Sequence, residues 1–316
     1  MGFQLLLACL LAFVPVFAVA AESRPRVGLV LSGGGARGAA HVGVLEVLEE
    51  MHVPIDAIAG TSMGAVVGGL YASGLTAREI EAALGSGAVQ QAFLDRPPRS
   101  DLTFRRKSED QNFLVRFPLG LKGGSFRLPK GLVSGQKLNQ TLRRLTLPVA
   151  GARDFDDLPT PFRAVATDLE SGDAVVLKDG DLVTAMRASV SAPGVFVPVE
   201  KDGRLLVDGG LADNLPVEVA RAMGVDGLIV VDVGFPLQSR QHLDSVGRIS
   251  NQMLAILIRR GSNAQRARIG PDDVLLDPAL GDASSFDFGL INRAIEIGER
   301  AARDDRERLA ALALPP

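Results

Sequence analysis

Thiols and imidazoles are nearly missing from this chain of 316 residues. Cys9 is the only cysteine and lies in an apolar N-terminal stretch, so a chain processed beyond that stretch has no thiol. Disulfides, a cysteine nucleophile and thiolate metal sites are excluded together. The histidines His41, His52 and His242 are too few and too scattered to suggest a metal site. An excess of positive charge is also lacking. The net charge of −3 gives no support to nucleic-acid binding, which needs a strongly basic face. After the N-terminus no run reaches the ~18 apolar residues of a membrane-spanning helix. Nor is there the alternating strand pattern of an outer-membrane barrel.

What is there is the composition of a folded globular protein, 47% hydrophobic and 22% charged. The opening MGFQLLLACLLAFVPVFAVAAES has an apolar run followed by Ala18-Val19-Ala20, an A-x-A pattern, although no Lys or Arg precedes the run. It reads as a secretory signal peptide over residues 1–20, and Pro15 and the small-residue end argue against an uncleaved anchor. Export to the periplasm or beyond is therefore expected. No internal repeat or linker divides the remainder, so residues 21–316 read as one domain.

Arg26–Ser32 reads as a buried strand and Ile55–Thr61 as a second. A glycine loop, Gly33–Gly38, and the helical spacing of AAHVGVLEVLEEM lie between them. Met63–Ser73 reads as a tightly packed helix ended by Gly74. Strand–helix–strand–helix is the pattern of a parallel sheet. The region from about Asp95 to Arg144 is read as irregular. PFRAVATDLESGDAVVLKDG predicts a hairpin, DLVTAMRASVSA a helix with Asp181 at its N-cap, and RLLVDGG and GLIVVDVG two strands. The helix PVEVARAMG between those strands has Pro216 suited to its first position. Beyond it come a long helical segment over 245–268, a strand at 274–277 and a charged final helix.

Gly60-Thr61-Ser62-Met63-Gly64 is a G-x-S-x-G motif between a predicted strand and a predicted helix. That context gives the motif meaning, because a sharp strand–turn–helix bend presents the Ser62 hydroxyl and aims a helix N-terminus at developing negative charge. Gly60 and Gly64 supply the small flanks of this elbow. Gly33-x-Gly35-x-x-Gly38 also fits a dinucleotide-binding fingerprint. That reading needs an acid at the end of the second strand. Gly60-Thr61-Ser62 stand there instead, and Asp56 lies at the wrong edge. Beside a nucleophile, the amides of Gly34, Gly35 and Met63 can converge on one oxygen, worth ~3 kcal/mol each in an acyl-transfer barrier. Glycine is expected there to leave room for a substrate carbonyl. Arg37 has two readings, a contact to substrate phosphate or a brace for loop carbonyls.

A serine nucleophile needs a base. The order Ser62, Asp208, His242 allows an α/β-hydrolase triad, but Ser62 comes too early for that fold and His242 sits in a polar loop. His41 reads as a satisfied helix-face histidine. Asp208, at a strand end before Gly209 and Gly210, is the better candidate if burial lifts its pKa above the ordinary ~3.9. Asp168, Asp213 and Asp232 read as structural.

Together GGGARG, GTSMG, DGG and ASVSAPGVFVP (Ala188–Pro198), in this order, resemble the patatin-like phospholipase family, from about Arg26 to at least Asp232. The resemblance implies a three-layer α/β/α fold with a mainly parallel central sheet. It implies a Ser62–Asp208 dyad, an oxyanion loop over Gly33–Gly38, lipid acyl-ester hydrolysis and no metal or organic cofactor. The signal peptide and IAGTSMGAVVGGLYASG resemble the exported bacterial branch, especially the secreted passenger of proteins that carry their own outer-membrane barrel. A lipid-binding module without catalysis is the contrasting reading.

Two features suggest surfaces. Arg99, Arg105, Arg106, Lys107, Arg116, Lys122, Arg127, Lys130, Lys137, Arg143 and Arg144 are interleaved with Phe104, Phe113, Phe117 and Phe126, a composition suited to anionic lipid or to an ordinary solvated hairpin. MLAILIRRG (Met253–Gly261) reads first as a core helix, with a homodimer face or lipid contact as alternatives.

Overall fold

The computed structural model describes residues 24–86, 91–93, 103–104, 120–122, 125–127, 131 and 133–314. Residues 1–20, read as the signal peptide, and most of the basic, Phe-containing stretch lie outside the described residues.

The first half of the fold follows the pattern read from the sequence. Strand β1 (Val27–Leu31) leads through the glycine loop into helix α1 (Ala40–Glu50). Strand β2 (Ala57–Thr61) leads into α2 (Met63–Ala72), and α3 (Ala77–Gly85) follows. Gly74, just past the C-cap of α2, has φ +94°, the left-handed conformation that glycine adopts freely. A two-stranded pair, β3 (Gly120–Lys122) and β4 (Ser125–Arg127), precedes α4 (Gln136–Leu145). Helix α4 corrects the reading of an irregular stretch up to Arg144: Leu138 and Leu142, four residues apart, bury one helical face there.

The predicted hairpin is β5 (Phe162–Asp168) with β6 (Ala174–Leu177), and α5 (Leu182–Ser189) follows. A second hairpin, β7 (Val199–Lys201) with β8 (Arg204–Asp208), leads to α6 (Val217–Arg221) and β9 (Gly227–Val231). Pro216 occupies the N-cap of α6, one position before the expected one. The chain ends with α7 (Val246–Arg266), β10 (Val274–Leu276), α8 (Ile291–Asp304) and α9 (Arg306–Ala310), so the final charged helix is two.

Eight strands form the central sheet. The pairs β10–β9, β9–β1, β1–β2 and β2–β5 are parallel, and β5–β6, β5–β8 and β7–β8 are antiparallel. Parallel strands buried on both faces read as continuous apolar runs, and all five residues of β1 and of β2 are buried. Leu29, Leu31 and Ile58 join the core beneath α1 and α2, while Val30, Ala59 and Val230 join the one beneath α6. Helices thus cover both faces of a mostly parallel sheet, the expected α/β/α arrangement.

The register of β5 fixes the centre of the molecule. Val165 pairs with Thr61 of β2 and also with Val176 of β6. Ala166 pairs with Asp208 of β8 and also with Val175 of β6. Strand β6 therefore holds one edge of β5, and β2 and β8 share the other, their C-terminal ends meeting head-on.

Among the described residues no helix is long and apolar enough to cross a membrane. Helix α7 departs from the core-helix reading of MLAILIRRG, since only Ala255 and Ser262 of it are buried.

Candidate active site

The elbow after β2 is tight. Ser62 has φ +54° and ψ −121°, a conformation that a non-glycine residue holds only when its surroundings impose it. Those surroundings are close-packed: a Cβ on Gly60 would press on the Gly64 carbonyl at 2.5 Å, and one on Gly64 would collide with the Leu31 carbonyl. Ser62 is buried, 6% exposed, rather than displayed at the sheet edge. Its amide donates to Ser189 Oγ at 2.8 Å, and Ser189 Oγ in turn donates to the Val165 carbonyl at 2.5 Å.

The Ser62 hydroxyl donates to Oδ2 of Asp208 at 2.7 Å. The other carboxylate oxygen, Oδ1, accepts from the Gly210 amide at 2.8 Å, which orients the group. The Asp208 backbone is held on both sides. Its amide donates to the Ser191 carbonyl at 2.9 Å, and its carbonyl accepts from Thr167 Oγ1 at 2.8 Å. Gly209 lies where a Cβ would strike the Val165 carbonyl, so DGG is needed to bring β8 up to the end of β2. Burial pushes the Asp208 carboxyl up to about 6, against the opposing pull of its hydrogen bonds from Ser62 and Gly210.

The glycine loop lies beside this pair because β1 and β2 are parallel neighbours. The amides of Gly34, Gly35 and Met63 donate to no other described residue. Gly33 differs from the expected oxyanion donors: its amide donates to the Asn214 carbonyl at 3.1 Å. The reason for the glycines also differs from the one expected. A Cβ on Gly34 would collide with Val233, one on Gly35 with the Ser285 carbonyl, and one on Gly38 with Met63 at 2.5 Å. Protein, not open space for a substrate carbonyl, meets these positions. Gly35 is further set by φ +58°.

Arg37, placed by sequence in the oxyanion loop, turns its guanidinium away to brace the structure. Nε donates to the carbonyls of Val233 and Gly234 at 2.9 and 3.2 Å, and Nη1 to those of Gly281 and Ala283 at 2.9 and 3.0 Å. This is the brace reading, not the phosphate contact. A cavity of about 290 Å³ beside Arg37, lined by Leu280, Leu290 and Ile297 among others, includes neither Ser62 nor Asp208.

The histidines stay outside the pair. His242 is exposed and its ring bonds Ser239 Oγ at 3.0 Å, while the carboxylate of Asp208 is shared by Ser62 and Gly210. His41 is fully buried with Nε2 on the Ser32 carbonyl at 2.8 Å, and burial pushes its pKa down to about 4, so the ring is neutral. Asp232 is buried against Arg266 at 2.6 Å, and Asp168 caps the β5–β6 turn through the Glu170 amide, as structural roles require. Burial also lifts Asp213 to about 6. Its carboxylate accepts from Gln265 and its carbonyl from Thr61 Oγ1. Among the described residues no three His, Cys, Asp or Glu side chains group so as to hold a metal ion.

Sequence reasoning missed Ser189, Ser191 and Asn214. ASVSAPG was legible only as a familiar block, and nothing in its spacing says that one serine holds the elbow and the next holds the base. Asn214 donates through Nδ2 to the Gly33 carbonyl at 3.4 Å and to Ser262 Oγ at 3.3 Å, linking the glycine loop to α7.

An α/β/α fold with a buried serine at a strand–helix elbow, paired to a raised carboxylate, defines a class of protein. The chain belongs to the patatin-like phospholipase family, whose family model matches residues 29–221. An uncharacterized NTE family protein of Mycobacterium tuberculosis is 38% identical over 215 residues, 68% of this chain and 51% of that protein. Patatin-like phospholipase domain-containing protein 6 of Homo sapiens is 35% identical over 210 residues, 66% of this chain and 13% of that protein. The match thus spans about half the length of the mycobacterial relative and far less of the human one. Among solved structures, VipD from Legionella pneumophila is a distant likeness at 15% identity and a TM-score of 0.45, over 92% of this chain and 67% of its own.

Proposed function

We propose that the chain is an exported serine hydrolase of lipid acyl esters that works through a Ser62–Asp208 dyad. The observation that carries this reading is the 2.7 Å hydrogen bond from the Ser62 hydroxyl to a carboxylate whose pKa burial has lifted to about 6. As Ser62 Oγ bonds to the ester carbonyl carbon, its proton passes to Asp208 Oδ2. A base near this pKa is better matched to neutral pH than an ordinary aspartate. The carbonyl oxygen becomes an oxyanion facing the uncommitted amides of Gly34, Gly35 and Met63, with the N-terminus of α2 behind it. Asp208 returns the proton to the leaving alkoxide, which leaves an acyl ester on Ser62. Water, deprotonated by Asp208, then releases the fatty acid and restores the dyad.

Membership of a family named for phospholipases, and relatives named likewise, supports a lipid ester as substrate. Incubation with defined phospholipids, followed by mass spectrometry of the products, tests the reading and gives head group and acyl position. Ser62→Ala and Asp208→Asn are each expected to abolish turnover while the circular-dichroism spectrum is kept. Full activity in either variant sinks the dyad. Activity lost in His242→Ala to the same degree would restore the triad, and wild-type binding of lipid without turnover would favour a non-catalytic module.

A further inference from the structure

We infer that the projecting half of α7 is an anchor that seats this enzyme on an anionic lipid surface; the inference rests on the lipid-ester reading above. Of the twelve large apolar side chains well exposed among the described residues, five lie on this one helix. Val246, Ile249, Met253, Ile256 and Leu257 recur at helical spacing, with Val246 82%, Met253 61% and Leu257 55% exposed. At 100° per residue they form one stripe. Residues 245–251 are exposed on every side, so the N-terminal turns stand clear of the body.

The other end of α7 is rooted at the site. Ser262 bonds Asn214, which also holds the Gly33 carbonyl, and Gln265 bonds Asp213. Leu257 precedes Ser262 by five residues, a rise of about 7.5 Å. On a wheel with Val246 at 0°, the buried residues Ala255 and Ser262 fall at about 180° and about 160°, opposite the stripe. The helix is fastened to the body by one face and turns its apolar face outward.

Charge selects the occupant. Helix α7 carries Arg248, Arg259, Arg260 and Arg266 and no Asp or Glu. Arg259 and Arg260 are exposed and pair with no described carboxylate. An apolar stripe that carries Arg260 and is bordered by Arg259 is what an amphipathic helix presents to acyl chains beneath anionic headgroups. A second copy of α7 would set these cations against one another, without the alternating acidic positions that pair helices in coiled coils. Arg260 lies at 320° on the wheel, within the stripe, where it would be desolvated against a second apolar face but reaches the headgroups of a bilayer.

The test is co-sedimentation of the full chain with phosphatidylcholine vesicles and with vesicles containing phosphatidylglycerol. Turnover of a soluble short-chain nitrophenyl ester is measured in the same preparations. Wild type is expected to sediment with the anionic vesicles and to be released by salt. The triple variant Ile249→Glu, Met253→Glu, Leu257→Glu is expected to lose binding more than tenfold, with soluble-ester turnover unchanged. Arg259→Glu with Arg260→Glu is expected to lose the preference for anionic vesicles by a similar factor. These substitutions lie on exposed positions, and unchanged turnover reports an intact fold. Anionic-vesicle binding that survives both variants overturns the proposal, as does a wild-type dimer in sedimentation velocity that the triple variant dissociates. Vesicle binding needs no catalysis, so absence of ester turnover in wild type would sink the hydrolase reading separately.

Discussion

Thr61 and Asp208 end two strands that abut head-on along one edge of β5, opposite the consecutive residues Val165 and Ala166. The serine after Thr61 and the carboxylate are neighbours because one strand aligns both. At the junction the Val165 carbonyl accepts from Ser189 Oγ, which itself accepts the Ser62 amide. Ser189 is thus a positioning residue for the elbow. In Ser189→Ala the Ser62 amide and the Val165 carbonyl lose their partner, which costs about 1–3 kcal/mol of stability in denaturant unfolding. A relaxed elbow lowers kcat by up to about a hundredfold with KM kept. Equal loss in both constants, or none, would remove Ser189 from this role.

The pH dependence follows from the ionisation that the mechanism needs. Asp208 accepts a proton only when ionised, and burial has raised its pKa to about 6. For a soluble ester, kcat/KM should rise with pH through about 6 and level off above it. Asp213 is lifted to about 6 as well, so Asp213→Asn is the control and should leave the inflection in place. An inflection that disappears in Asp213→Asn assigns the base elsewhere.

The same shift makes Asp208 a burden on the fold. The native state holds this proton more tightly than the unfolded chain, whose aspartates titrate near ~3.9. The group's contribution to stability is complete below about pH 4 and is lost as pH rises through about 6. Asp208→Asn removes the buried charge but leaves one acceptor oxygen for the two donors Ser62 and Gly210, a cost of about 1–3 kcal/mol at every pH. The charge-dependent part is read from the difference between variant and wild type, which should move in the variant's favour by about 2 kcal/mol between about pH 4 and neutral pH. A difference that does not change over that range contradicts the raised value.

Gly34 separates two explanations of the glycine loop. A Cβ there would collide with Cγ2 of Val233, not with open space. Gly34→Ala should therefore be inactive or unstable, and Val233→Ala should restore part of the loss, a coupling of about 1 kcal/mol or more in a double-mutant cycle. If the methyl group instead blocked the substrate carbonyl, trimming Val233 would rescue nothing.

Much of this site was legible because backbone geometry leaves marks in sequence. A serine held at positive φ is flanked by Gly60 and Gly64, where carbonyls leave no room for a Cβ, and the pentapeptide shows them. Parallel β1 and β2 made it certain that both loops share an edge. Asp208 was visible as a strand-end carboxylate before two glycines, but how it reaches Ser62 was not. Strand β8 is antiparallel to β5, and nothing local in RLLVDGG encodes a head-on junction with β2. Arg37 and α7 were harder, for one reason. Whether an arginine meets carbonyls or a phosphate, and whether MLAILIRRG meets core or solvent, depends on residues distant in the chain. Hydropathy alone cannot tell a buried apolar stripe from an unpartnered one.

The junction on β5 also divides the polypeptide in an unusual way. Opened anywhere between Ser62 and Phe162, the chain would carry its hydroxyl on one fragment, and on the other its carboxylate together with the strand that gauges their separation. Neither piece holds a complete pair. Hydrolysis by a mixture of such halves would report their reassembly, edge to edge, at Val165.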